Sequence, residues 1–173
     1  TMKNNEVFGP SHLAVFMQEH DIPGEILELD VPTPTVEAAA AAVGCQPDQI
    51  VKSLLFFVRD EPVLAITSGP AHIERRSIAA HYQVGRKKVK LADPQTVLIE
   101  TGFGVGAMPP FGHYSPLPTL IDQRVLEKER VYAGGGSDQA LLHISPQAIL
   151  AATQGTILDL LSHHPSGPGN QAA

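Results

Sequence analysis

Apolar residues at Leu13, Phe16 and Met17 fall on one face of a helix predicted over residues 10–20, with Ser11 near its start. Residues 25–30 alternate toward a strand, which Pro32 and Pro34 end because proline cannot extend a ladder. Thr35 caps an alanine-rich helix over 36–43, with Glu37 in the favourable first turn and Gly44 as its stop. That helix is small-faced, so another element packs closely over it. Residues 50–58 make the most buried-looking strand, interrupted by Lys52 and Ser53. Asp60 and Glu61 turn it into a hairpin partner over 62–67. A short helix follows over 74–82, then the basic run 86–90, read as a solvated loop. Asp93 and Pro94 open a helix over 95–100, which Gly102 closes. Residues 119–122, 130–133 and 141–144 read as short strands, with Gly134, Gly135 and Gly136 as a flexible turn between the last two. Ser145 and Pro146 open a final helix to about Thr153. Helices and strands mix without a regular βαβ repeat, which predicts an α+β fold with a mixed, curved sheet.

The stretch 101–112 departs from these periodicities. It holds Gly102, Gly104, Gly106, Gly112, Pro109 and Pro110, with Phe103, Val105, Met108 and Phe111 between them. A solvated linker would carry polar residues at the apolar positions. The composition describes a rigid loop with apolar anchors, either an ordinary packed turn or a cradle of backbone N–H groups for an anion or oxyanion. The glycines do not follow G-x-G-x-x-G, and no Lys-Ser or Lys-Thr pair succeeds them, so a nucleotide cofactor has no support.

Composition bounds the partners. At 173 residues, 43% hydrophobic and 17% charged, the chain fits one globular domain over residues 1–161. The tail 162–173, rich in Gly, Pro, Ser and His, is expected to be disordered, and Thr1 ahead of Met2 reads as an expression remnant. A net charge of −6 argues against a protein that coats nucleic acid, and DNA is not an expected partner. It leaves room for contact with one end of a nucleic acid. Cys45 is the single cysteine, which fits a reducing compartment. With no signal peptide or long apolar run, the expected location is cytoplasmic, without membrane attachment.

Chemistry-bearing residues are few. Lys52 either points outward from its strand or stands in a cleft, where its compact charge suits a phosphate or carboxylate. His143, among apolar neighbours, is either a rim residue or a catalytic one. The other histidines show no metal-ligand spacing, so no metal or other cofactor is expected. Cys45 has no nucleophile signature, and no G-x-S-x-G elbow is present. Arg86, Lys87 and Lys88 supply the best local patch for a nucleic acid, with Arg75 and Arg76 as companions.

In order and spacing, several segments together resemble the YbaK/ProRS-associated family of aminoacyl-tRNA editing deacylases, also known as prolyl-tRNA synthetase insertion-type domains. The resemblance runs from about Thr35 to Leu150. It is carried by the helix start at 35–39, by 50–56 with its Lys52, by 100–103, by 106–112, by 120–122, by the three glycines and by 143–146. It implies a curved, barrel-like sheet with flanking helices that hydrolyses the ester of a mischarged aminoacyl-tRNA. It matches the family's strand lysine to Lys52, its GxxxP loop to residues 106–110 and the histidine of several members to His143, so Lys52, Gly106 and His143 become the expected catalytic set. Ser53, Gly104, Ala107, Met108, Pro109, Pro110, Phe111 and Gly112 become the expected substrate-binding set, and Arg86, Lys87 and Lys88 the tRNA-binding set. Ala107 stands where many members have a second glycine, and Ser53 where alanine-editing members tend to carry Asn. Such a protein needs no nucleophile of its own; it orients an activated ester, admits water and stabilises an oxyanion. A free-standing editing enzyme acting on a small amino acid, with an aminoacyl-tRNA synthetase as possible partner, is the leading expectation. A non-catalytic adaptor for a tRNA end or a synthetase, and a carboxylate-binding protein, are the alternatives.

Overall fold

The computed structural model describes residues 6–161. The predicted disordered tail and the reading of Thr1 lie outside the described residues. Along the chain run α1 (Pro10–Glu19), β1 (Glu25–Glu28), α2 (Val36–Val43), β2 (Val51–Val58), β3 (Glu61–Ser68), α3 (Arg75–Tyr82), β4 (Val89–Leu91) and α4 (Pro94–Thr101). They continue as β5 (Thr119–Asp122), β6 (Val131–Gly134), β7 (Ala140–Ile144), α5 (Pro146–Thr153) and β8 (Thr156–Leu158). The α+β class and mixed sheet agree with the sequence reading.

Local chemistry sets the helix ends. Thr35 Oγ1, Asp93 Oδ1 and Ser145 Oγ accept from the N–H groups of Ala38, Thr96 and Ala148 at 3.1, 2.8 and 3.1 Å. Gly44 and Gly102 stop α2 and α4 at φ of 70° and 88°, where a Cβ would be strained.

The strands form two sheets, ordered β4-β2-β3-β5-β8 and β1-β7-β6. The β2–β3 hairpin is antiparallel, while β3–β5 and β5–β8 are parallel. Alternation along β2 sends Val51 and Leu55 into the main core with Leu13, Phe103 and Leu142. Phe56 and Val58 go to the opposite face, packing with Ile78, Val89 and Leu120. Burial on both faces is why this strand reads as a nearly continuous apolar run.

Two expectations need correction. The sheet does not close into a barrel: the two sheets are joined by one isolated parallel bridge, Ile50 to Tyr132. The basic run 86–90 is not all loop: Arg86–Lys88 makes a 3-10 turn, and β4 then pairs with residues 56–58 of β2. Between the bridge and β4, residues 51–55 have no strand on that side. That gap in the sheet positions the site.

Candidate functional site

A cavity of about 380 Å³ occupies the gap. Its walls come from residues 50–55 of β2, from Thr35, Val36 and Ala39 around the start of α2, from Leu91, Ala92, Pro94 and Val97, from Val105, Gly106 and Met108 of the glycine-proline loop, and from Ala133, Gly134 and Leu141. Most of the wall is apolar. The backbone N–H of Ala92 donates to Leu55 O at 2.9 Å, so the polar groups of Leu55 face the β4 side. Backbone direction repeats every second residue, which turns the N–H and C=O of Ser53 toward the same open edge.

Lys52 stands on this wall, half-buried and without an ion-pair partner among the described residues. Burial pushes its ammonium below the usual lysine range. Ser53 also lines the cavity, and its Oγ is buried with no hydrogen-bond partner among the described residues, as is Thr67 Oγ1 on the neighbouring strand. The Ser53 hydroxyl is thus an unspent hydrogen-bonding group beside an apolar space, while Thr67 does not line it.

The loop 101–112 is anchored from beneath. Phe103, Met108 and Phe111 enter the main core. Thr101 Oγ1 donates to Val97 O at 2.7 Å and accepts from the Phe103 N–H at 3.1 Å. Two carbonyls are held from the sides: Ala107 O accepts from the Gly136 N–H, and Pro109 O from His113 Nε2, both at 2.9 Å. Burial pushes His113 down to about 4, so it stays neutral at physiological pH and can donate that proton. Gly106 has φ of 84°, and a Cβ built there meets nothing within 4 Å. Its N–H and that of Met108 donate to no protein group among the described residues.

The glycines at 134–136 are closely packed, which corrects the reading of a flexible turn. A Cβ on Gly134 would lie 2.2 Å from Met108 O, and one on Gly136 2.8 Å from Pro10 N. These glycines let β6 and its turn lie directly against the loop and the start of α1.

Lys52, Ser53, Gly106 and Met108 therefore share one cavity. The remaining candidates stand elsewhere. Ala107, Pro109, Pro110 and Phe111 are buried behind the wall, and Phe111 stacks on Phe16 at 5.9 Å between ring centroids. Gly112 packs on Leu13 and Phe16, while Gly104 accepts the Ala107 N–H at 3.2 Å. His143 lies on β7 two residues beyond Leu141, stacked on Tyr132 at 4.4 Å and accepting from Arg130 Nε at 3.3 Å. Burial first, then the Arg130 charge, hold its imidazole below the ordinary histidine range. Of the basic run, Lys88 lines a second, smaller cavity with Arg59 and Lys90; Arg86 and Lys87 are exposed outside both.

His113 escaped the sequence reading. Its position just after the loop was visible, but its role needs the fold that turns it back onto Pro109. Among the described residues, no group of three or more His, Cys, Asp or Glu side chains could hold a metal ion, and no helix is long and apolar enough to cross a membrane.

Several known proteins are similar to this chain. An uncharacterized protein of Bacillus subtilis, YwhH, is 25% identical over 140 residues, 80% of this chain and 85% of that protein. The proline–tRNA ligase of Thermotoga neapolitana is 35% identical over 85 residues, 47% of this chain and 14% of the ligase, so the match spans a small part of that enzyme. The crystal structure of a candidate trans-editing enzyme for prolyl-tRNA synthetase superposes with a TM-score of 0.83 at 30% identity, covering 89% of this chain and 97% of that one. Residues 30–152, which carry β2, the loop and β7, match the aminoacyl-tRNA editing domain, and the chain belongs to that family.

Proposed function

We propose that this protein is a trans-editing hydrolase that deacylates mischarged aminoacyl-tRNA, with the ester held in the cavity between β2 and the loop. The observation that carries the reading is the convergence of Lys52 and Gly106 on one apolar cavity in a chain of the editing family. The relatives named as proline–tRNA ligases favour the proline tRNA as the acceptor and the proline synthetase as the enzyme whose errors are corrected.

The reaction adds water to the ester carbonyl, breaks the bond to the ribose oxygen and returns a proton to that oxygen, releasing tRNA and a free amino acid. In this scheme the N–H groups of Gly106 and Met108 receive the oxyanion that forms on the carbonyl, an effect worth about 3–4 kcal/mol per donor in known oxyanion holes. Lys52 attracts the terminal phosphate, fixing the ester against the loop. Val36, Ala39, Val97 and Met108 surround the amino-acid side chain, and the Ser53 hydroxyl is the polar group in their neighbourhood. Apolar walls separate side chains differing by one methylene by only about 1–3 kcal/mol, so the site acts as a second sieve behind a synthetase. His143, engaged by Tyr132 and Arg130 outside the cavity, takes no step in this scheme.

Release of free amino acid from a panel of mischarged proline tRNAs by the purified protein tests the proposal. Catalytic release of at least one small amino acid is expected. Binding of tRNA with no release from any member would leave an adaptor of the same fold, and binding of free amino acids alone a carboxylate-binding protein.

A further inference from the structure

The strand that carries Lys52 ends in a second polar site. Arg59 and Asp60 form the two-residue turn between β2 and β3, both left-handed at φ of 49° and 68°. The Arg59 N–H donates to Lys88 O at 3.1 Å, and β4 sets Lys90 opposite Phe57. These residues enclose a cavity of about 250 Å³ lined by Phe57, Arg59, Asp60, Lys88 and Lys90. Three cations from three segments thus meet one carboxylate, and none of the three has an ion-pair partner among the described residues. In a chain of net charge −6, a hollow where cations outnumber carboxylates is a local reversal of the molecule's field.

Its placement relates it to the first cavity. Ser53, Leu55 and Phe57 are alternate residues on one face of β2, so Ser53 and Phe57 stand about 13 Å apart along the strand. β4 leads from Lys88 and Lys90 into Leu91 and Ala92, which line the first cavity. One sheet edge therefore carries an apolar cavity with Lys52 at one end and a cationic hollow at the other. An extended polyanion can touch both; a free small anion has no use for the spacing.

We propose that Arg59, Lys88 and Lys90 bind the phosphodiester backbone of the tRNA acceptor arm while its 3′ end occupies the first cavity. The identity of the nucleic acid rests on the editing reading above. The basic run is thereby divided: Lys88 contributes with Arg59 and Lys90, whereas Arg86 and Lys87, which line neither cavity, supply only general attraction.

Binding of uncharged proline tRNA, measured by fluorescence anisotropy across a salt series, tests this without requiring turnover. The triple variant Arg59→Asn, Lys88→Gln, Lys90→Gln keeps a residue tolerant of the left-handed turn. It is expected to bind about tenfold or more weakly near 0.15 M salt, and the slope of log K against log salt should fall by about 2 to 3. Arg86→Gln with Lys87→Gln is expected to lose less than about twofold. Thermal melting of both sets of variants within a few degrees of the unmodified protein is expected and reports an intact fold. Equal losses in the two sets of variants, an unchanged triple variant, or no binding of tRNA by the unmodified protein would each overturn the cradle. Binding through these cations without release of any amino acid would keep the cradle and remove the editing reading.

Discussion

A lysine half out of water on an apolar wall, with no carboxylate beside it, carries its charge against the cost of desolvation. Lys52 is in that position, and its lowered pKa has burial as its single cause. An incoming phosphate or carboxylate relieves that cost, which makes the position suited to an anion and poorly suited to a merely structural charge. His113 shows the opposite outcome: burial keeps it neutral although its bond to Pro109 O favours the protonated form. With a folded pKa of about 4 against an ordinary 6.5, the unfolded chain takes up a proton first as the pH falls. Between pH 6.5 and 4 the unfolded state therefore binds more protons, and stability drops through that window by about 1–3 kcal/mol. Urea titrations across pH 4–7 should show this loss, and His113→Gln, which keeps a donor but cannot titrate, should flatten it. An equally steep decline in His113→Gln would remove His113 as its origin.

At the scale of elements, the loop and the end of β6 act as one unit, and two glycines in it serve different ends. Gly106 needs its positive φ but has open space around it, so Gly106→Val adds backbone strain of about 1–2 kcal/mol and puts a side chain where the ester must approach. Deacylation is expected to fall about 10²-fold with melting lowered by only a few degrees. Gly134→Ala instead drives a methyl into Met108 O and is expected to cost about 1–3 kcal/mol in stability as well as activity. Parallel thermal melts and deacylation rates distinguish the two; normal turnover in a folded Gly106→Val would take the loop out of the active site. What was legible in the sequence follows from the same division between local and distant causes. The caps at Thr35, Asp93 and Ser145, the stops at Gly44 and Gly102 and the β2–β3 hairpin are set by neighbours within a few residues, and all were readable. β4 and β8 are three residues each, selected by partners far along the chain: residues 56–58 for one and β5 for the other. The pairing of Lys52 with Gly106 on one cavity came through family resemblance, because no local pattern shows that β2 lacks a neighbour at 51–55. The placement of His143 behind Tyr132 was equally out of reach, since it depends on the register of β6 against β7.

For the molecule as a whole, the incomplete closure between two sheets creates the site, and ordinary packing around the gap shapes it. No cysteine or metal cluster lines the cavity among the described residues: Cys45 lies elsewhere, its thiol pushed up by burial and by Asp48 and donating to Gln46 O at 3.4 Å. Deacylation is accordingly expected to survive both chelation and thiol alkylation, and loss with EDTA that zinc restores would contradict the scheme. The most direct test compares release of amino acid from mischarged proline tRNA by the unmodified protein, Lys52→Ala and Lys52→Arg, each checked by thermal melting. The account predicts Lys52→Ala about 10²-fold slower with stability changed by no more than about 0.5 kcal/mol, and Lys52→Arg also impaired because a planar fork replaces a compact charge. Release by Lys52→Ala at the unmodified rate, for every amino acid the protein removes, would contradict it.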